Sequence, residues 1–342
     1  MTIDPNILII RPDLMNSLPS TTHDGTDLTS ELLMGMRLIG VEYRRIELAP
    51  PLGLSFGKAA GLAHFHFVGR GPVHLRCASG KTYRLDTGDA VLMPHGGEHE
   101  VVSALDVSPC LDVRELEATT LCPTVTSIER PGSDADAGKE ALIFSGCMEF
   151  DLGGMQMLVA SMPEVMLVAT LLDRYPELRV MLEAMERESC TKRAGFAGVF
   201  SRLADVVAAF IVRAWVECGC GDATGWVQAL RDPRLGKVIL AMHRDPGKAW
   251  TVANLAEEMG SSRSVFAERF LEVTGMTPVR YLTELRMRLA AQWIGRDRES
   301  IESVAFRLGY GSLAAFSRAF KRTIGHPPGA IRGHGGMAHA HT

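Results

Sequence analysis

Residues 303–332 read SVAFRLGYGSLAAFSRAFKRTIGHPPGAIR, and the marks inside them occur a second time about fifty residues earlier. The later copy carries Ala305-x3-Gly309, Phe316-x3-Phe320, Gly325 and Pro328. The earlier copy carries Ala256-x3-Gly260, Phe266-x3-Phe270, Gly275 and Pro278. Ala and Gly recur 49 positions apart and the other four positions recur 50 apart, so one turn of the second copy is a residue longer. Self-similarity at a fixed period marks a duplicated supersecondary unit. Each copy reads as a helix-turn-helix. A short helix (252–259 or 301–308) stops at a Gly, which accepts positive φ cheaply. Ser262 or Ser312 then offers a side-chain oxygen to the free N–H groups of the next helix. The two Phe, four residues apart, share one helix face and point to the core of their unit, so the opposite face stands clear. Between the copies, 278–294 is long enough for about four and a half helical turns. A rod of that length can set two recognition helices roughly 34 Å apart, one turn of DNA.

Charge separates this half of the chain from the rest. The whole protein of 342 residues has a net charge of −4. From Pro233 onward there are 16 Lys plus Arg against 9 Asp plus Glu, a net of +7, which leaves −11 for the first 232 residues. A basic module of this kind meets a polyanion; a plain helical bundle needs no such charge. The base-facing candidates follow from the helical face. Arg318 lies between Phe316 and Phe320 and points away from the core, while Lys321 and Arg322 sit where phosphate contacts position a helix without specifying sequence. Arg280 is a further phosphate candidate, and Arg286 and Arg288 on the linker helix read as solvated, with a DNA contact as the alternative.

The segment 233–332 resembles the DNA-binding domain of the AraC/XylS family of bacterial transcriptional regulators. That resemblance implies double-stranded DNA as a partner and RNA polymerase as a second one. It places base-reading positions at Arg263, Ser264, Ala267 and Glu268 in the first unit, and at Ala314, Ser317 and Arg318 in the second. The family commonly has Arg where this chain has Glu268, which weakens the first unit's base contacts. Arg269 then supplies either a phosphate contact or a salt bridge to a neighbouring helix.

Upstream, 38–150 carries short alternating runs broken by Gly-rich turns, the pattern of an antiparallel barrel or sandwich. Gly88-x5-Pro94-x-Gly96-x2-His99 has the spacing of the second cupin motif. Registered on Gly71, the first motif is degenerate, with Lys58 and Ala60 at its His positions and His64 at its Glu position. The region 38–226 resembles the cupin-type sensor of one AraC subfamily. His64 and His66, two apart on a strand, share one face, and Phe65 and Phe67 share the other. With His99, and His95 as an optional fourth, they are candidates for an effector or metal site. Cys77 follows Arg76 and lies near Lys81, a mildly electropositive setting that makes it the candidate redox residue. Helical periodicity follows Pro163: a segment 176–188 and a long apolar-faced helix from Phe196 to Trp215 form a hairpin that packs either on the barrel or across a dimer interface.

These readings give an α+β chain: a cupin-like β-barrel with a helical hairpin, and an all-α domain of two helix-turn-helix units joined by a long helix. The expected boundaries are an arm at 1–30, the barrel at 31–160, the hairpin at 161–228, the DNA-binding domain at 229–332 and a Gly/His tail at 333–342. A polar stretch, 130–139, is an expected loop. No run of 18 uncharged apolar residues occurs, no basic run precedes an apolar core near the start, and seven Cys form no CxxC pair. A membrane span, a secretory signal and a disulfide scaffold are therefore not expected, and a cytoplasmic protein is. The function read from the sequence is a sequence-specific DNA-binding transcriptional regulator, an activator by family habit, controlled by a small effector and able to form a homodimer. It is not read as an enzyme and needs no cofactor. The alternative is a cupin metalloenzyme or an oxidant sensor fused to a DNA-binding module.

Overall fold

The computed structural model describes residues 28–59, 61–130, 140–172, 174–191, 193–218, 228–229, 232–295 and 297–334. Residues 131–139 of the expected loop, nearly all of the expected arm and the tail beyond residue 334 lie outside them, while Arg130, also expected in that loop, ends a strand. The described residues form two compact units: one lies within 36–151 and 162–218, the other within 28–35, 152–161 and 228–334.

The first unit contains two sheets. The seven-stranded sheet runs β12-β6-β3-β11-β1-β10-β9. Its strands are β1 (Arg37–Leu48), β3 (Ala63–Arg70), β6 (Ala90–Met93), β9 (Thr119–Cys122), β10 (Val125–Arg130), β11 (Ala141–Asp151) and β12 (Met166–Leu167). The five-stranded sheet runs β5-β4-β7-β2-β8. It contains β2 (Gly53–Phe56), β4 (Val73–Cys77), β5 (Thr82–Leu85), β7 (His99–Val102) and β8 (Leu111–Asp112). The expected barrel is thus two facing sheets; among the described residues no ladder closes them into one ring. Nor is the pairing purely antiparallel. Strand β1 is flanked by β11 antiparallel and β10 parallel, and β2 pairs with β8 in parallel. Because β10 and β11 run in opposite directions on either side of β1, one of them must be parallel to it.

The core between the sheets is built of Ile46, Leu54, Val68, Leu75, Val91, Val101, Ile143 and their neighbours. Strand β5 alternates exposed and buried residues, as a sheet with one wet face does. Strand β3 is buried almost throughout because both its faces are covered. The second cover is the hairpin of α2 (Glu177–Thr191) and α3 (Phe196–Cys218). Phe200 on α3 sits 5.4 Å from the Tyr43 ring, 5.9 Å from Phe67 and 4.3 Å from Phe144. So the apolar stripe of α3 is spent largely on the sheet. Val199 and Val206 stay outside at 48% and 40% exposure.

The second unit holds α4 (Pro233–Arg244), α5 (Val252–Met259), α6 (Arg263–Thr274), α7 (Pro278–Gly295), α8 (Ile301–Arg307), α9 (Leu313–Ile324) and α10 (Pro328–His334). Each capping residue read from the sequence caps its helix. Ser262 Oγ accepts from Val265 N, and Ser312 Oγ accepts from Ala315 N. Gly260 has φ +70° and Gly309 has φ +78°. All four repeat Phe are fully buried. Helix α1 (Leu28–Gly35) and the 3-10 segment Gly153–Ser161 fall within this unit, although the arm and barrel ranges were expected to contain them. The reason is packing: α1 touches α4, and the 3-10 segment lies on α7. Leu32, Met155 and Leu158 are buried there.

Candidate functional site

Two places in the molecule gather chemistry. The first is the outer face of the two second helices, α6 and α9. With Phe266 and Phe270 inward, Arg263, Ser264 and Glu268 are exposed and Ala267 is half-buried. With Phe316 and Phe320 inward, Ala314, Arg318, Lys321 and Arg322 are exposed and Ser317 is half-buried. Helix α9 ends in Lys321 and Arg322, where cations offset the negative end of the helix dipole. Arg318 forms no ion pair with the described residues. Arg269 does: its guanidinium lies 3.0 Å from Glu272 and 3.8 Å from Asp232. Of the two roles read for Arg269, the geometry favours the salt bridge. Arg280 pairs with Glu284 at 3.0 Å, one turn along α7.

Arg286 is not solvated as the sequence reading had it. It donates to the carbonyl of Pro246 at 2.6 Å and to that of Lys248 at 2.8 Å, with its guanidinium 5.9 Å from the Tyr310 ring. It therefore ties the α4–α5 loop to the linker helix and to the turn before α9. Nothing in the local sequence could have shown this, since the partners are backbone carbonyls forty residues away. A groove of ≈ 690 Å³, lined by Thr277, Arg280, Thr283, Arg288, Arg322 and Thr323 among others, adds positive charge beside α9.

The second place is between the two sheets. Strand β3 pairs with β11 so that His66 lies opposite Ser145 and His64 opposite Cys147. From the facing sheet, β7 brings in His99, opposite Phe56 on β2 and Cys77 on β4. The three imidazoles are buried at 6%, 1% and 2% exposure for His64, His66 and His99. One ring nitrogen from each lies within 4.8 Å of those of the other two. His66 Nε2 is 2.7 Å from His99 Nε2, and His66 Nδ1 is 2.8 Å from Ser145 Oγ. The Gly97 carbonyl lies 2.7 Å from His99 Nδ1 and accepts its proton. Phe56 stacks on His99 with centroids 4.9 Å apart. The Nε2 atom of His64 is buried without a hydrogen-bond partner.

Burial pushes all three rings below their ordinary range, His64 to about 4, and the neighbouring imidazoles push His64 and His66 in the same direction. Neutral imidazoles are the form in which His binds metal. Of the positions registered on Gly71, Lys58 is exposed, and His64 stands beside His66 as a second inward imidazole. His95 is outside the group; it is exposed and its Nε2 lies 2.9 Å from the Met162 carbonyl.

Cys77 does not have the setting of a reactive thiol. It is buried, and desolvation together with the charge of Glu164 pushes its thiol up to about 12, outweighing Lys81. A cavity of ≈ 140 Å³ at the other side of the sandwich is lined by Leu48, Leu52, Leu54, Leu116, Ile128 and Glu129 among others.

Comparison with known proteins follows the same division. Residues 27–217 match the cupin family, and residues 255–334 match a helix-turn-helix domain family. A putative AraC-like transcription regulator of Streptomyces lividans is 31% identical over 58% of this chain, which spans 66% of that relative's length. The HTH-type transcriptional regulator AlkR of Acinetobacter baylyi is 30% identical over 77% of this chain and 85% of its own. A crystal structure of an AraC-type regulator from Chromobacterium violaceum is 22% identical, covers 32% of this chain and 96% of its own, and has a TM-score of 0.30. With a cupin match over more than half of its length and a regulator related along most of both chains, this protein belongs to the AraC-type family of transcriptional regulators that carry an N-terminal cupin domain.

Proposed function

We propose that this regulator reads DNA sequence chiefly through α9, and that its cupin-like domain controls that binding in response to a small ligand. The observation that carries the reading is Arg318. Its flanking Phe316 and Phe320 are sealed in the core while its own guanidinium is exposed and unpaired among the described residues. An Arg in that position can make a bidentate contact with guanine, a discrimination of ~1–3 kcal/mol. Lys321 and Arg322 then hold the helix on the phosphates, while Arg263 faces the bases in the first unit. Ser264, Ala267, Glu268, Ala314 and Ser317 complete the two reading faces.

The same proposal has the protein act in the cytoplasm, as an activator that contacts RNA polymerase, with a homodimer spanning two copies of its site. The half-exposed Val199 and Val206 on α3 support a pairing surface there. Selection of bound duplexes from a random library by the purified full-length protein tests the reading. It requires a recovered consensus, and two copies at fixed separation if the dimer is right. Recovery of random sequence at moderate salt overturns it.

A further inference from the structure

We propose that Glu268 selects cytosine in the first half of the DNA site, and that it does so by penalising the other bases more than by adding affinity. The inference rests on the reading of DNA proposed above and gives α6 a role distinct from that of α9.

The repeat supplies the comparison. Glu268 stands 50 positions before Arg318, and Leu271 stands 50 before Lys321. Glu268 lies between the buried Phe266 and Phe270, whose ring centroids are 5.6 Å apart. Arg318 lies between Phe316 and Phe320, also buried, at 5.8 Å. The same inward anchors turn both middle residues to the outer face of their helix. Both are exposed, and neither forms an ion pair with the described residues. The two units therefore present opposite charges at equivalent positions. Where α9 then has Lys321, α6 has Leu271, at 47% exposure. Arg269 does not make up the difference, since Glu272 and Asp232 already hold it.

Base chemistry decides what a carboxylate at this place can read. An ionised carboxylate only accepts hydrogen bonds. In the major groove guanine shows two acceptors, thymine an acceptor and a methyl group, and adenine an acceptor beside a donor. Cytosine shows a donor alone, its N4 amino group. Glu268 thus meets repulsion at guanine and thymine, a mixed edge at adenine, and a clean partner at cytosine. Phosphates repel the carboxylate on every duplex, and the N4 contact offsets that repulsion only at the cognate base. Specificity is a difference of affinities, so a group disfavoured on all sequences but one supplies it. Arg318 works in the opposite sense, attracted to phosphate on any duplex and gaining further at guanine.

The test uses the full-length protein and its Glu268→Gln, Glu268→Arg, Leu271→Lys and Arg318→Ala variants, each checked for an unchanged Tm. The parent should select a cytosine about one DNA turn from the guanine that Arg318→Ala relaxes. Glu268→Arg should move that cytosine to guanine, and Glu268→Gln should move it toward adenine, following the pairing geometry of those side chains. The guanine read by Arg318 should stay fixed in both.

Affinities carry a second signature. Glu268→Gln should lose at least ~5-fold of the parent's discrimination at that base pair, the lower end for a mismatch. On random DNA the same variant should bind ~2–5-fold tighter, the size of one exposed charge interaction. Leu271→Lys should tighten binding to cognate and random DNA alike and leave the consensus as it is. The inference is overturned if both Glu268 variants recover the parent consensus while Arg318→Ala still relaxes its guanine; the reading through α9 then stands. It is also overturned if neither Glu268→Gln nor Leu271→Lys tightens binding to random DNA, since α6 then does not lie on the duplex. A parent that recovers no consensus at all removes the DNA reading and this inference with it.

Discussion

Arg318 and Lys321 stand three residues apart on α9, both exposed and both basic, yet their expected contributions to binding differ in kind. Replacing Arg318 with Ala should cost ~1–3 kcal/mol on duplexes recovered by selection and clearly less on random DNA, because a base contact is lost. Replacing Lys321 should weaken both classes alike and reduce the salt slope by nearly one unit, because a phosphate contact is lost. Parallel titrations by fluorescence anisotropy at several salt concentrations separate the two. Equal losses for both substitutions on both DNAs would remove Arg318 from the reading face.

His243 carries a prediction of another sort. Its Nε2 lies 2.6 Å from the buried Tyr281 hydroxyl, and burial lowers its pKa to about 4. An unfolded chain returns it to about 6.5. Between those values the unfolded state takes up a proton that the folded state refuses. The contribution is therefore intact above pH 6.5 and is lost as pH falls toward 4, by about 3 kcal/mol over the window. Urea midpoints of the parent and His243→Gln proteins between pH 4.5 and 7.5 should show a flatter profile for the variant.

At the scale of elements, the repeat is closer in sequence than in its surroundings. Gly260 and Gly309 hold equivalent positions with nearly the same left-handed φ. A Cβ at Gly260 meets nothing within 4 Å, whereas one at Gly309 would run into the backbone carbonyl of Gly247. Gly247 in turn would collide with the Arg307 carbonyl. The loop after α4 is thus pressed on the turn of the second unit, where Arg286 also fastens it. Gly260→Ala should cost only the strain of positive φ, about 1 kcal/mol. Gly309→Ala should cost several times as much, since backbone must move, and chemical denaturation of the two variants compares them directly. In the cupin-like unit, Phe200 is the corresponding anchor. Cutting it to Ala leaves Tyr43, Phe67 and Phe144 around a void, at ~3–5 kcal/mol. A small effect there would mean that the hairpin does not rely on that contact.

Across the whole molecule, charge and burial divide the labour. The +7 helical segment bears the DNA-facing cations and the remainder carries a net −11, so binding to DNA should depend strongly on salt. Plotting log affinity against log salt should give a slope of several units, near −0.9 for each phosphate neutralised. A slope near zero would mean that the basic helices do not lie on the backbone of DNA.

Local physics accounts for what was legible beforehand. The duplicated helices, their caps at Ser262 and Ser312, their Gly termini and the inward Phe pairs depend on contacts within a few residues, so one unit's sequence contains nearly all of its own determinants. The inward face of His64 and His66 was legible for the same reason, since strand alternation has a period of two. Strand order, the parallel pairings of β10 with β1 and of β8 with β2, and the joining of α1 and 153–161 to the helical unit were not, because each depends on which distant surface an apolar stripe finds. The same holds at the sites. Ser145 behind His66, Gly97 behind His99, Glu164 beside Cys77 and the carbonyls that hold Arg286 are set by pairing across sheets and between loops. Tertiary packing alone therefore decided that His95 stays outside the imidazole group, which thiol is silenced and which arginine is structural.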